Sequence, residues 1–256
     1  MSWTHESYCD ALGAEIGRFA DVVRGVALDT PVPTCGDWTL AQLVEHTGIV
    51  ERWAAEMVRR RSTERLDRSR LDVPVPERAG DLADWFAAGA DEVVSSFRAA
   101  DPGAPMWAWG ADKHARFWAR RMLHETTVHR ADAELALGRE PQIETRVAID
   151  GIDELLDNLP HAAYFRPHVA ELRGDGESIH LHGTDVDEQA AGEWTIHLRP
   201  GGFTWDHGHG KATVAVRGPA ADLLLLLYRR RPPVAGRYEV FGDDAVLAAW
   251  LDHSAL

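Results

Sequence analysis

The stretch His124-Glu125-Thr126-Thr127-Val128-His129-Arg130 decides how this chain is read. On a helix, positions four apart share a face one turn apart, so Glu125 and His129 stack. A carboxylate and an imidazole placed that way form half of a metal site. A third ligand from another helix completes it and leaves positions open for chemistry. The run begins His-Glu and invites comparison with the zinc-protease motif H-E-x-x-H, which needs two histidines four apart with the glutamate as base. Here His124 and His129 are five apart. Five residues turn a helix through about 500°, so the two rings point to different faces. The pair on one face is Glu125 with His129, and the protease reading fails.

Working outward, the first half of the chain reads as helix. Residues 5–27 carry apolar positions at Leu12, Ile16, Phe19, Val22, Val23 and Val26 before Pro31 and Pro33 punctuate. Thr39 with Gln42 three residues later forms a capping box. The helix it opens has its apolar stripe at Leu40, Leu43, Val44, Val50, Trp53, Ala54 and Met57. Residues 62–80 are charged and proline-bearing and read as a loop, and a third helix spans 81–99. The fourth runs from about Asp112 to Leu137, with Gly138 in the C′ position. Four long helices predict a four-helix bundle over residues 1–142.

After Pro141 the pattern changes. One helix near 146–158 precedes short alternating runs at 179–182, 194–198, 203–205 and 213–216. A helix after Pro219, a strand at 238–241 and a last helix from Asp243 complete an α+β domain, 143–256, with a mostly antiparallel sheet. The whole is therefore of the α+β class.

Composition narrows the function. The chain has 256 residues, a net charge of −14 and 45% hydrophobic residues. The acidic balance opposes nucleic-acid and anionic-membrane partners. No apolar run is long enough for a membrane helix. The N-terminus lacks the basic and apolar regions of a signal peptide. The two cysteines, Cys9 and Cys35, form no C-x-x-C, which predicts a reducing, cytoplasmic setting.

His46 is the candidate third ligand. It lies one to two turns into the capped second helix, bordering the apolar stripe, and a polar ring on an inner seam needs a partner. Alone it would read as a hydrogen-bonded core histidine; beside Glu125 and His129 it reads as a ligand. His180 and His182 share one face of a strand, and His207-Gly208-His209 sits in a glycine-rich turn. The simpler reading of each is a polar sheet face or turn.

Three stretches carry a resemblance to a known family. They are Cys35-Gly36-Asp37-Trp38-Thr39-Leu40-Ala41-Gln42-Leu43-Val44-Glu45-His46, the run from Arg121 to Glu134, and Val216-Arg217-Gly218-Pro219-Ala220-Ala221-Asp222-Leu223-Leu224-Leu225 with Val240-Phe241-Gly242-Asp243. The chain resembles the mycothiol-dependent maleylpyruvate isomerase family, whose N-terminal half is a DinB-like four-helix bundle. The resemblance implies a zinc ion bound by His46, Glu125 and His129, and mycothiol as thiol cosubstrate. It also implies a catalytic arginine within Tyr228-Arg229-Arg230-Arg231-Pro232, aligned with Arg230. The family's proline between Cys35 and Trp38 is replaced by Gly36-Asp37, a change expected to affect only the start of the second helix.

The ligand set suits this chemistry. Two imidazoles and a carboxylate fit zinc, and three protein ligands leave a position open. A thiol entering there is deprotonated by the metal and becomes the nucleophile. Addition to an activated alkene, rotation and elimination give an isomerase; displacement or a stable adduct gives an S-transferase. Arg230, or else Arg217, would hold a substrate carboxylate. Asp132 would orient a ligand or, as spacing favours, pair with Arg130 or Arg121. Trp53, Trp107, Trp109 and Trp118 read as core before pocket. The rival functions are a non-catalytic, thiol-responsive metal module and a metal-dependent hydrolase. The hydrolase needs a further base, and Glu45 and His124 are expected to point away from the ligands.

Overall fold

The structure, a computed structural model, describes residues 3–186, 192–232 and 236–255. The chain divides after Pro141 into two compact units.

The N-terminal unit is built on four helices: α1 (His5–Val23), α2 (Leu40–Arg59), α3 (Leu82–Arg98) and α4 (Arg116–Ala136). α1 packs on α3 and α4, and α2 packs on the same two, with a smaller contact between α3 and α4. Both α1 and α2 start with a complete capping box, Thr4 with Ser7 and Thr39 with Gln42. Each box satisfies two backbone donors that a helix start leaves orphaned. The expected stripes of α2 and α3 are the buried ones, including Leu40, Leu43, Val44, Met57, Phe86, Val93 and Phe97. Trp53 and Trp118 are core, with ring centroids 5.2 Å apart at 90°.

Two helix boundaries differ from the sequence reading. α1 stops at Val23 rather than 27, and Gly25 at φ 71 starts the turn. α4 begins at Arg116, not Asp112. Asp112 instead accepts from Arg116 Nε at 2.6 Å, and Pro105 bridges to His114, holding the approach extended. Residues 62–80 form a loop that carries short 3-10 turns at Arg68–Arg70 and Ala79–Asp81.

α4 departs from an ordinary bundle helix. It is buried on nearly every side, yet Arg121, His124, Thr126, Thr127, His129, Arg130, Asp132 and Glu134 are among its buried residues. Buried polar groups need partners. Arg130 Nε donates to Glu15 Oε1 at 2.5 Å and its Nη1 to Glu134 Oε2 at 2.7 Å. The Thr126 and Thr127 hydroxyls bond back to the carbonyls of Met122 and Leu123, both at 2.8 Å. So much desolvated polarity is costly unless paired, and these contacts supply the pairing.

The C-terminal unit opens with α5 (Thr145–Asn158) and two short 3-10 segments between residues 159 and 171. Five strands follow: β1 (Ser178–Gly183), β2 (Glu193–Arg199), β3 (Gly202–His207), β4 (Val214–Gly218) and β5 (Glu239–Gly242). Their order is β3-β2-β1-β4-β5, antiparallel except for the parallel pair β1–β4. α6 (Ala220–Leu227) and α7 (Asp244–His253) pack on β1 and β4, and α5 packs on α6. Alternation sorts the two faces. Ile179, Leu181, Trp194, Ile196, Val214 and Val216 are buried on one. His180, His182, Glu193 and Thr195 fall on the other. No helix among the described residues is long and apolar enough to cross a membrane.

Candidate metal centre

The bundle brings His46 of α2 to Glu125 and His129 of α4. His129 Nε2 lies 3.3 Å from Glu125 Oε1, and His46 Nε2 lies 3.7 Å from the same oxygen. The two imidazole rings stand 5.4 Å apart at 87°. Bonds of about 2.0–2.2 Å to a tetrahedral zinc put neighbouring ligand atoms about 3.4 Å apart. Both measured separations fall close to that edge, and one atom from each residue faces a common point. The three residues fit a zinc ion.

Neighbouring side chains fix these ligands. Arg121 Nη2 donates to Glu125 Oε2 at 3.3 Å, leaving Oε1 turned to the histidines. Asp132, for which spacing favoured an arginine partner, presents Oδ2 to His129 Nδ1 at 3.0 Å. Cys35 Sγ donates to the same oxygen at 3.3 Å. A carboxylate on Nδ1 fixes the tautomer and orients Nε2, the usual support for a metal-ligating imidazole. Trp38 packs its ring 4.7 Å from that of His46. Its position follows from the start of α2, where Val32 N donates to the Trp38 carbonyl at 2.7 Å.

Without a metal the pair is an ion pair. Burial disfavours charge on Glu125, but His129, His46 and Arg121 outweigh it and hold the carboxyl well below its ordinary value. Burial also opposes a charged His129, and Asp132, Cys35 and Glu125 reverse it, holding the ring well above its ordinary value. Glu51, one turn beyond His46 on α2, is fully buried. Burial pushes its carboxyl up to about 8, and Glu125 adds to the rise.

His46 opens onto a cleft of about 310 Å³ lined by Trp38, Gln42, Glu45, His46, Ile49 and Arg68. Glu45, exposed on the same helix, lines the cleft beside His46. His124 is buried. Trp38, Cys35, Glu51 and Arg68 were not singled out by spacing. Trp38 and Cys35 precede α2 in a segment without periodicity, and Arg68 arrives on a loop.

Arg230 lies in the C-terminal unit, just past α6. Its Nη1 donates to the Tyr228 carbonyl at 2.9 Å. Arg229 pairs with Asp252 and Arg231 with Asp222. Arg217 pairs with Glu239 on the neighbouring strand at 2.8 Å.

The fold class is α+β: a four-helix bundle that brings two histidines and one carboxylate together from two helices, followed by a unit of helices and a mostly antiparallel sheet. Residues 9–134 match the mycothiol maleylpyruvate isomerase N-terminal domain, and residues 146–249 match the MDMPI C-terminal domain. The chain belongs to the mycothiol-dependent maleylpyruvate isomerase family. Comparison with curated proteins found no significant match. The crystal structure of the mycothiol-dependent maleylpyruvate isomerase matches with a TM-score of 0.59, and that of a histidine-to-alanine mutant with 0.61. Each is 12% identical and the alignments cover 92% of this chain and 91% of the other. At that identity the likeness establishes the shared fold.

Proposed function

We propose that this chain is a zinc-dependent enzyme that uses a low-molecular-weight thiol, mycothiol by family, to isomerise a small electrophile or to transfer sulfur to it. The observation that carries the reading is the meeting of His46, Glu125 and His129 beside an open cleft. Three protein ligands leave room for a further one, as in catalytic rather than structural sites. Zinc held there would lower the pKa of an entering thiol, so that the reactive thiolate is present at neutral pH.

The protein's own groups do the rest. Asp132 holds the His129 ring with Nε2 facing the ligand point, and Arg121 holds Glu125 in one orientation. Trp38 and Ile49 give the cleft an apolar wall. Arg68 lines the same cleft and offers a guanidinium to a carboxylate-bearing substrate or thiol. The family resemblance assigns the role of catalytic arginine to Arg230 within the run 229–231. A bidentate guanidinium stabilises negative charge as it develops on the electrophile.

Glu45 gives the hydrolase alternative a carboxylate on the cleft, and one experiment separates the readings. The metal content of the purified chain is measured, then turnover of maleylpyruvate with and without mycothiol. Zinc at one equivalent lost in His46→Ala, with turnover that requires thiol, supports the proposal. Turnover without thiol that depends on Glu45 overturns it in favour of hydrolysis. Zinc retained unchanged by His46→Ala overturns the site.

A further inference from the structure

The sheet of the C-terminal unit carries a second constellation of ligands. His180 and His182 project from one face of β1, and Glu193 stands directly across from His182 on β2. After β3 the chain turns at Gly208, φ 127, and lays His209 over the same carboxylate. Glu193 Oε2 lies 3.0 Å from His180 Nε2 and 2.8 Å from His209 Nδ1, and its Oε1 lies 3.2 Å from His182 Nδ1. One candidate ligand atom from each of the four lies within 4.8 Å of all the others.

Hydrogen bonding at His180 supplies an independent argument. The Thr195 hydroxyl donates its one hydrogen to the Gly208 carbonyl at 3.4 Å. Its oxygen therefore accepts from His180 Nδ1, 3.2 Å away. A neutral His180 then has a bare lone pair on Nε2, and that atom faces a carboxylate oxygen. His180 is only 4% exposed, and its Nε2 makes no hydrogen bond although Glu193 Oε2 is 3.0 Å away. Two acceptors at that distance repel unless a cation lies between them. The contact lacks the alignment that a shared proton needs and that a metal ion does not.

We propose that His180, His182, Glu193 and His209 form a second metal site, which takes a divalent first-row transition ion. Three imidazoles and one carboxylate select such an ion over magnesium or calcium, which prefer all-oxygen sites. Bonds of about 2.1 Å place adjacent ligands of an octahedral ion about 3.0 Å apart, against about 3.4 Å for a tetrahedral one. The two separations at Glu193 Oε2, 3.0 and 2.8 Å, lie near the octahedral edge. Thr195 plays here the part that Asp132 plays for His129, fixing the tautomer of a ligand from behind. His207 belongs elsewhere, its Nε2 lying 3.2 Å from Asp153.

The test uses the tag-free, full-length chain carrying His46→Ala, stripped of metal and titrated with Co2+. One equivalent is expected to bind at micromolar concentration, with the weak visible absorption of a six-coordinate ion. Adding His209→Ala or His182→Ala is expected to weaken that binding by about tenfold or more. The His209 side chain is 80% exposed, so its removal leaves the fold intact. No uptake by the His46→Ala chain, or uptake that neither added substitution changes, overturns the site. The readout depends on His182 and His209 alone, so failure of the thiol-enzyme reading leaves it unaffected.

Discussion

Replacing Glu51 by glutamine offers a quantitative test of how the bundle manages charge beneath the metal ligands. Glu51 is fully buried, and Thr126 Oγ1 lies 2.7 Å from its Oε1. The same hydroxyl lies 2.8 Å from the Met122 carbonyl. One hydrogen cannot serve two acceptors, so the arrangement closes best when Glu51 itself carries a proton and donates to Thr126, which donates to Met122. Burial is the main cause of its pKa of about 8, against an ordinary 4.5; Thr126, Arg52 and His129 pull it down without cancelling the rise. Between those two values the folded chain keeps a proton that the unfolded chain releases. Stability therefore falls as pH rises through this window, by about 1.4 kcal/mol per unit, and levels off above pH 8. Glutamine has no proton to lose and presents an N–H to Thr126 in the same way. The stability gap between Glu51→Gln and the wild type should therefore widen by about 3 kcal/mol between about pH 5.5 and 8.5. Urea unfolding of the metal-free chain, followed by tryptophan fluorescence, measures that gap, and a shift of this size moves the midpoint by roughly 1 M or more. A gap that stays constant with pH would show that Glu51 is ionised in the folded protein and would refute the argument.

Other expectations concern the ligands and their supports. Asp132→Asn keeps the shape but weakens the hold on His129, and zinc affinity by chelator competition should drop about 10–100-fold with unchanged circular dichroism. Because the metal-free His129 is held well above its ordinary value, zinc must displace its proton. Zinc affinity should therefore fall about tenfold per pH unit below that raised pKa, and calorimetry in buffers of different ionisation enthalpy should find proton release near neutral pH; binding without release would contradict the ion pair. Arg130→Met removes the buried guanidinium that pairs with Glu134 and with Glu15, of which Glu15 keeps Arg18, and should cost about 3 kcal/mol in urea unfolding.

The helices and their caps were legible because they depend on local rules. Thr39 and Gln42 satisfy the start of α2 whatever packs on it, and the stripes at Leu43, Val44 and Met57 state which side faces inward. Boundaries were less legible. The backbone pairing of residues 104–106 with 113–115 keeps the approach extended so that α4 starts at Arg116, and periodicity does not register it. Strand positions followed from alternation, but the parallel β1–β4 pair did not, since it joins segments separated in sequence by the β2–β3 hairpin. Of the first site, spacing supplied Glu125 and His129 and the seam of α2 supplied His46. Asp132 carried an ambiguous signal, as its contact with His129 is set by side-chain rotamer rather than by turn.

The two constellations show why one kind of site reads from sequence and the other does not. Glu125 and His129 are related by helical pitch, a constant that spacing alone reveals. His180 and His182 likewise share a face by strand period. Two imidazoles on a sheet, however, are an ordinary polar surface until a carboxylate is placed against them. That placement depends on the β1–β2 register, which sets His182 opposite Glu193, and a slip of one residue would turn Glu193 to the buried face. Register in turn is held by Ile179, Leu181, Trp194 and Ile196 on the opposite, apolar face. The chemistry of the polar face is therefore specified by residues that take no part in it. A substitution on the apolar side that shifts the pairing, rather than one that merely loosens it, should abolish Co2+ uptake at His180 and Glu193 while leaving zinc at His46, Glu125 and His129 in place.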